Sequence, residues 1–188
     1  MRTETVPEVS SLISADALVE LYHCHARQLH RYLARRVGTQ VADDLVGEAF
    51  LVAWEQRARF GPSRAGGKAW LYGIATNLLR RHVRSEIRRL TAWAREHGRR
   101  SWVEDVGERT AVAVDAQVLA ASLAATVAGL RTEERDVLLL VAWAHLSPTE
   151  IAAALEVPVA TVRSWLHRAR SKVRNQMIKH GLEENGDA

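Results

Sequence analysis

Ser147-Pro148-Thr149-Glu150 is a helix start written in four residues. Serine accepts hydrogen bonds at the N-cap, proline suits the first helical position, and a glutamate at N3 closes a capping box. Ile151 and Leu155 follow as an i, i+4 apolar pair, and Glu156-Val157-Pro158 interrupts the pattern. A second helix then carries Val162, Leu166, Ala169 and Val173 at helical spacing. Ala152 is small where the two helices must cross. The segment from Leu146 to Arg170 therefore specifies a helix-turn-helix, whose second helix enters the DNA major groove. With Val162, Leu166 and Ala169 buried, Thr161, Ser164, Trp165, Arg168 and Lys172 form an outward stripe. Arg163, Arg170 and Arg174 flank it within reach of phosphates. Trp165 has two readings, contact with thymine methyl groups or packing on the preceding helices.

The rest of the chain is helical too. Eleven glycines and 4 prolines among 188 residues fall well below the usual combined share of about 12%. A hydrophobic content of 47% excludes disorder as the main state. Leu18, Leu21, Tyr22, His25, Leu29, Tyr32 and Leu33 predict a first helix from Ala15, broken at Gly38-Thr39. Leu45, Val46, Ala49, Phe50 and Trp54 form the buried stripe of a second. After the loop Phe60-Gly61-Pro62-Ser63 and Gly66-Gly67, a longer helix carries Trp70, Leu71, Ile74, Leu78, Ile87 and Leu90 at helical spacing, with arginines on the other face. The apolar period lapses from about Arg99 to Ala113. A further helix covers Gln117 to Leu130. Thr132-Glu133-Glu134 opens the next, with Thr132 as N-cap and acids in its first turn. The expected organisation is a tail at 1–14, a helical domain at 15–97, a linker at 98–114, a second helical domain at 115–180, and a tail at 181–188.

Charge is distributed in blocks. The net charge is only +4, yet residues 64–100 hold 10 basic and 2 acidic side chains. Residues 101–136 reverse this with 3 basic and 7 acidic, and residues 163–179 hold six bases and no acid. Two basic blocks on helices with defined apolar faces are the electrostatic footprint of a polyanion partner. Arginine outnumbers lysine 23 to 3, a ratio that a GC-rich genome explains as well as phosphate binding does. The single cysteine, Cys24, excludes an internal disulfide framework and a Cys-rich zinc site, and it fits a reducing compartment. His23-Cys24-His25 is a poor chelate, because adjacent helix positions do not face each other. Cys24 is expected to be partly buried. The longest apolar run, Val137 to Ala144, is far short of the ~20 residues that span a bilayer, and the acidic N-terminus lacks a signal-peptide core. The expectation is a cytoplasmic protein without membrane insertion.

Three further segments carry a resemblance. They are Ala42-Asp43-Asp44-Leu45-Val46-Gly47-Glu48-Ala49-Phe50 with Ala53-Trp54, Ala69-Trp70-Leu71-Tyr72-Gly73-Ile74-Ala75-Thr76-Asn77-Leu78, and the arginine-rich continuation of the latter. In this order, followed by the helix-turn-helix, the chain resembles a bacterial RNA polymerase sigma factor of the extracytoplasmic-function (ECF) type. The segments look like regions 2.2, 2.3, 2.4 and 4.2 of that family. The resemblance implies an all-α fold of two small helical domains, a region 2-like and a region 4-like unit, joined by a flexible acidic linker. It implies docking on the clamp and flap regions of core RNA polymerase, with Asp44 and Glu48, i and i+4 on one helix face, at the clamp.

By the same resemblance, the first domain reads the −10 element as an opened single strand. Asn77 would bond a base edge, and Lys68, Arg80, Arg81, Arg84 and Arg88 would neutralise phosphates. Trp70 belongs to the family pattern, as a core residue or as a stacking platform. The second domain reads the −35 element as duplex through Thr161, Arg163, Ser164, Trp165, Arg168, Arg170 and Lys172. The linker acids Glu104, Asp105 and Glu108 would run towards the RNA exit path or act as a plain tether. An anti-sigma protein is an implied partner. The chain departs from the family at Arg81, where an aspartate is frequent, at Trp165, where arginine is, and at Glu156, where glycine is. Glutamate in a left-handed turn costs roughly 1 kcal/mol or more.

Such a factor promotes transcription initiation without being an enzyme, and needs neither cofactor nor metal. Three rivals remain. A stand-alone helix-turn-helix regulator would bind duplex operators without polymerase, but leaves the Asp44/Glu48 helix without a task. A metal-dependent nuclease would want more convergent acids or histidines than this chain offers. A protein adaptor leaves both basic blocks unexplained.

Overall fold

The computed structural model describes residues 14–57, 66–97 and 111–179. These residues form seven helices and no strand: α1 Ala15–Val37, α2 Thr39–Glu55, α3 Gly67–His97, α4 Ala111–Ala128, α5 Thr132–Ala144, α6 Pro148–Leu155 and α7 Val159–Lys179. No helix among them is long and apolar enough to cross a membrane. Residues 1–13 of the expected tail at 1–14, most of the loop before Lys68, the acids Glu104, Asp105 and Glu108, and the expected tail at 181–188 lie outside the described residues.

Helix starts and stops follow local chemistry. The Ser14 hydroxyl caps α1 by accepting from the Ala17 N–H at 3.1 Å. Gly38, at φ 82°, ends α1 and opens α2 in a single residue. That conformation favours glycine, because a side chain would crowd the backbone. The capping box at α6 is formed: the Glu150 N–H donates to Ser147 Oγ, and Glu150 Oε2 accepts from the Ser147 N–H at 2.8 Å. Glu156 closes α6 in the left-handed region, φ 55°, where the sequence places the strain. A second left-handed residue, His145, closes α5 and carries no such signal.

The first three helices pack around Leu29, Tyr32, Leu33, Leu45, Ala49, Leu71, Tyr72 and Leu79. In the second unit, α5, α6 and α7 enclose Val137, Leu140, Ile151, Val162 and Leu166, and α4 lies against α7. The two units do not stand apart. Helix α6 packs on α3 and α5 touches α1, so the buried cluster runs through both.

Several expectations need correction. Helix α4 begins at Ala111, four residues before the expected second domain. Arg131, not Thr132, is the N-cap of α5, and its side chain makes no capping bond. Trp54 is exposed rather than buried, and Tyr22, Ile87 and Leu90, although at the apolar spacing of α1 and α3, are exposed as well. Tyr22 rests edge-on against Phe50, and the Arg57 guanidinium covers the Trp54 ring at 4.1 Å. Ile87 and Leu90 lie past Leu79, the last buried residue of α3 among the described side chains. Cys24 is exposed.

Candidate nucleic-acid interface

Helix α7 sorts its bases by neighbour. Arg163, His167, Arg170 and Arg174 recur along one face and, with Pro148 at the start of α6, line an open cleft. Arg163, Ser164 and Arg170 are exposed, whereas Thr161 is half-buried. Trp165 is also half-buried and packs against the core, which favours the packing role over an outward one. Arg168 and Lys172 are not free cations. Glu134, 1% exposed at the start of α5, accepts from Arg168 Nε at 3.1 Å and Lys172 Nζ at 2.8 Å. Both bases therefore tie α7 to α5 and fix the angle at which the helix presents Arg163 and Ser164.

The Lys172 ammonium, with the Arg168 guanidinium assisting, holds the Glu134 carboxyl below its ordinary range against the opposing pull of burial. A carboxyl depressed in the fold stabilises it above the unfolded value, and that support disappears as pH falls through the folded value. Denaturant midpoints should therefore drop as pH is lowered from about 5 to about 3. Glu134→Gln should start less stable at neutral pH and give a flatter profile across that window. Superimposable profiles would remove Glu134 from this role.

On the first unit, α3 carries the expected −10 row. Asn77 is exposed on a helix stretch otherwise buried from Leu71 to Leu79. Arg84 and Arg88 are exposed, and Arg84 Nε donates to the Arg80 carbonyl at 3.2 Å. Lys68 and Trp70 are half-buried, and Trp70 packs against the core. Burial, then the neighbouring Lys68 charge, lowers the His25 pKa, favouring its neutral form. Arg80 and Arg81 are engaged within the chain. Arg81 pairs with Glu48 across α2 and α3. Arg80 Nε donates to Asp136 Oδ2 at 2.6 Å, and Arg36 Nη2 stands 2.7 Å from Asp136 Oδ1. On α2, Asp44 is exposed and forms no ion pair among the described residues, while Glu48 is tied to Arg81.

Sequence reasoning missed Arg36, Asp136, Glu134 and His167. The available signal was two acids, Glu134 and Asp136, at the edge of an apolar run, where burial demands cationic partners. No group of three or more His, Cys, Asp or Glu side chains suited to a metal occurs among the described residues.

Comparison with known proteins gives two family matches, Sigma-70 region 2 over residues 21–89 and Sigma-70 region 4 over residues 120–173. The ECF RNA polymerase sigma factor SigC of Mycobacterium tuberculosis is 34% identical over 143 residues, 74% of this chain and 72% of SigC. SigE of Mycolicibacterium smegmatis is 33% identical over 87% of this chain, which spans 63% of the length of SigE. SigL of Mycobacterium tuberculosis is 29% identical over 93% of this chain and 97% of its own. Among solved structures, CnrH in complex with the cytosolic domain of CnrY superposes with a TM-score of 0.59 at 25% identity, covering 88% of this chain and 90% of CnrH. The sigma factor RpoE of Bartonella quintana, solved with the anti-sigma factor NepR, shares the fold at a TM-score of 0.56 and 22% identity, covering 88% of this chain and 98% of its own.

Proposed function

Because this chain belongs to the ECF RNA polymerase sigma factors, we propose that it binds core RNA polymerase, reads −35 and −10 promoter elements, and directs transcription initiation. The observation that carries this reading is the co-occurrence in one chain of a capped helix-turn-helix and a second helical unit with a basic helix, α3, beside an acidic one, α2. A duplex-binding regulator needs only the first.

The −35 element enters as duplex against α7. Arg163 and Ser164 face bases, Arg163, Arg170 and Arg174 neutralise phosphates, and Thr161 stands at the helix start. Arg168 and Lys172 act through Glu134 by fixing the helix angle. The −10 element is held as an opened strand along α3. Asn77 meets a base edge, and Lys68, Arg80, Arg81, Arg84 and Arg88 track the backbone. Such a groove offsets the unpairing energy of melted promoter DNA. Asp44 and Glu48 dock on the polymerase clamp, and the second unit on the flap. Phosphodiester chemistry stays with the polymerase, and the chain acts in the cytoplasm without a cofactor. An anti-sigma protein is a partner. CnrH, solved with the cytosolic domain of CnrY, supports a protein partner on this fold.

The test is size-exclusion of the chain with purified bacterial core polymerase, followed by transcription from a genomic fragment library. Stoichiometric co-elution and start sites sharing paired upstream motifs are expected. A chain that ignores polymerase yet shifts duplex DNA alone is a stand-alone regulator, and the reading fails.

A further inference from the structure

Arg36, near the end of α1, and Arg80, midway along α3, converge on one carboxylate that belongs to the other unit of the fold. Asp136 is wholly buried, with one oxygen facing Arg36 and the other accepting from Arg80. The Arg36 and Arg80 side chains are 10% and 24% exposed. Arg36 also donates from Nη1 to the Tyr32 hydroxyl at 3.1 Å, which fixes its plane. One guanidinium donating to one oxygen of an anion, with a second at ion-pair distance from the other oxygen, gathers two positive charges on one anion, a charge arrangement that suits a phosphate. Arg80 stands in the same row of α3 as Asn77, Arg81, Arg84 and Arg88, and Arg84 rests on its carbonyl.

We infer that Arg36 and Arg80 form a phosphate-binding site for single-stranded promoter DNA, and that Asp136 occupies it in the closed chain as an internal substitute for the phosphate. The inference rests on the reading of α3 as a promoter-strand surface. Arg36 joins the DNA-binding set, although α1 carries no other assigned contact. The closed arrangement and the DNA-bound one exclude each other at this point. Asp136 cannot leave alone, because α5 and α1 are joined beside it. The Trp143 ring meets Tyr32 edge-on at 6.5 Å between centroids, and Arg35 covers it at 5.1 Å. DNA entering the site must therefore part the two units, and, by linkage, whatever parts them exposes the site.

The full chain supplies its own label site, since Cys24 is the single cysteine and is exposed. Adding Asn175→Cys on the exposed part of α7 gives a distance probe between the units. The ligand used is a short fluorescent single-stranded DNA of mixed sequence. Three results are expected. Saturating oligonucleotide should lengthen the label separation in the otherwise wild-type chain. Asp136→Asn should lengthen it without DNA and tighten oligonucleotide binding about tenfold. Arg36→Gln with Arg80→Gln should also lengthen it, without any tightening, and should lower the slope of log affinity against log salt by about 1.4, for two lost phosphate contacts.

Oligonucleotide that binds without changing the separation would overturn the inference, and this arm needs no variant that risks misfolding. So would an Asp136→Asn chain that opens but binds no more tightly, which would make the contact a structural ion pair alone. Co-elution of the labelled chain with core polymerase is run in parallel. Its failure would overturn the sigma reading while leaving the DNA-driven opening to be judged on its own.

Discussion

Asp44→Arg combined with Glu48→Arg should abolish co-elution with core RNA polymerase, weakening the complex at least a hundredfold, or about 2.7 kcal/mol. Asp44 is exposed on α2 with no ion pair among the described residues, so its charge is available to a partner. Reversing a charge that faces a complementary one replaces attraction with repulsion, and for a desolvated pair the cost reaches about 2–5 kcal/mol. The two substitutions differ in what else they disturb. Asp44→Arg alone should leave the thermal midpoint unchanged within about a degree, as surface substitutions generally do. Glu48→Arg also removes the partner of Arg81 and sets two guanidiniums together. It should lower the midpoint slightly and loosen the contact between α2 and α3. Loss of binding in the Asp44→Arg chain with an unchanged midpoint separates docking from folding. Undiminished co-elution of the doubly reversed chain would remove this face from the polymerase interface.

The features legible in the sequence are those that one helix decides by itself. The Ser147/Glu150 capping box is a bond between residues three apart, and it formed as expected. Leu45, Ala49, Val162, Leu166 and Ala169 point inwards because the helical period alone assigns them to one face. The sequence failed where a residue's fate depends on a distant element. Arg168 and Lys172 share an outward face, but Glu134 lies 34 and 38 residues upstream of them and reaches both. Arg80 meets Asp136 across 56 residues. Its side chain reads as a free phosphate contact until the second unit is packed on the first. Ile87 and Leu90 have the right spacing for burial, yet nothing among the described helices arrives to bury them. Period describes which way a side chain faces, not what faces it.

The bases proposed to meet DNA are thus partly spent inside the chain. Glu48 holds Arg81, Asp136 holds Arg80 and Arg36, and Glu134 holds Arg168 and Lys172. The three pairings differ in accessibility. The Arg81–Glu48 pair is exposed, with side chains 62% and 41% accessible, so water screens it and exchange for another partner costs little. Asp136 and Glu134 are buried, and a buried carboxylate left without its cations is strongly destabilising. Glu134 and its two bases lie within one unit and stay together however the units move. Asp136 is the only one of the three whose cations belong to the opposite unit, so the proposed opening would act on it and not on Glu134.

Gly73→Ala should test that arrangement by its sign. A glycine inside a helix is normally a weak point, and alanine there stabilises by about 1 kcal/mol. In α3, however, a Cβ at position 73 would stand 2.2 Å from the Ala154 carbonyl oxygen of α6. The obstacle is backbone, so no side-chain rotation relieves it, and the helices must separate. Overpacking of this kind costs about 1–3 kcal/mol, which outweighs the gain in helix propensity. The same displacement draws α5 back with α6, pulling Asp136 from Arg36 and Arg80. Gly73→Ala should therefore lower the thermal midpoint, lengthen the separation between the labels on Cys24 and position 175, and expose the two arginines without touching either. If promoter DNA parts the units as proposed, the obstacle is gone in the bound chain and only the propensity gain remains. The substitution should then be neutral or favourable to complex formation while unfavourable to the free chain. A raised midpoint in the free chain, with the label separation unchanged, would mean that α3 and α6 do not pack through Gly73.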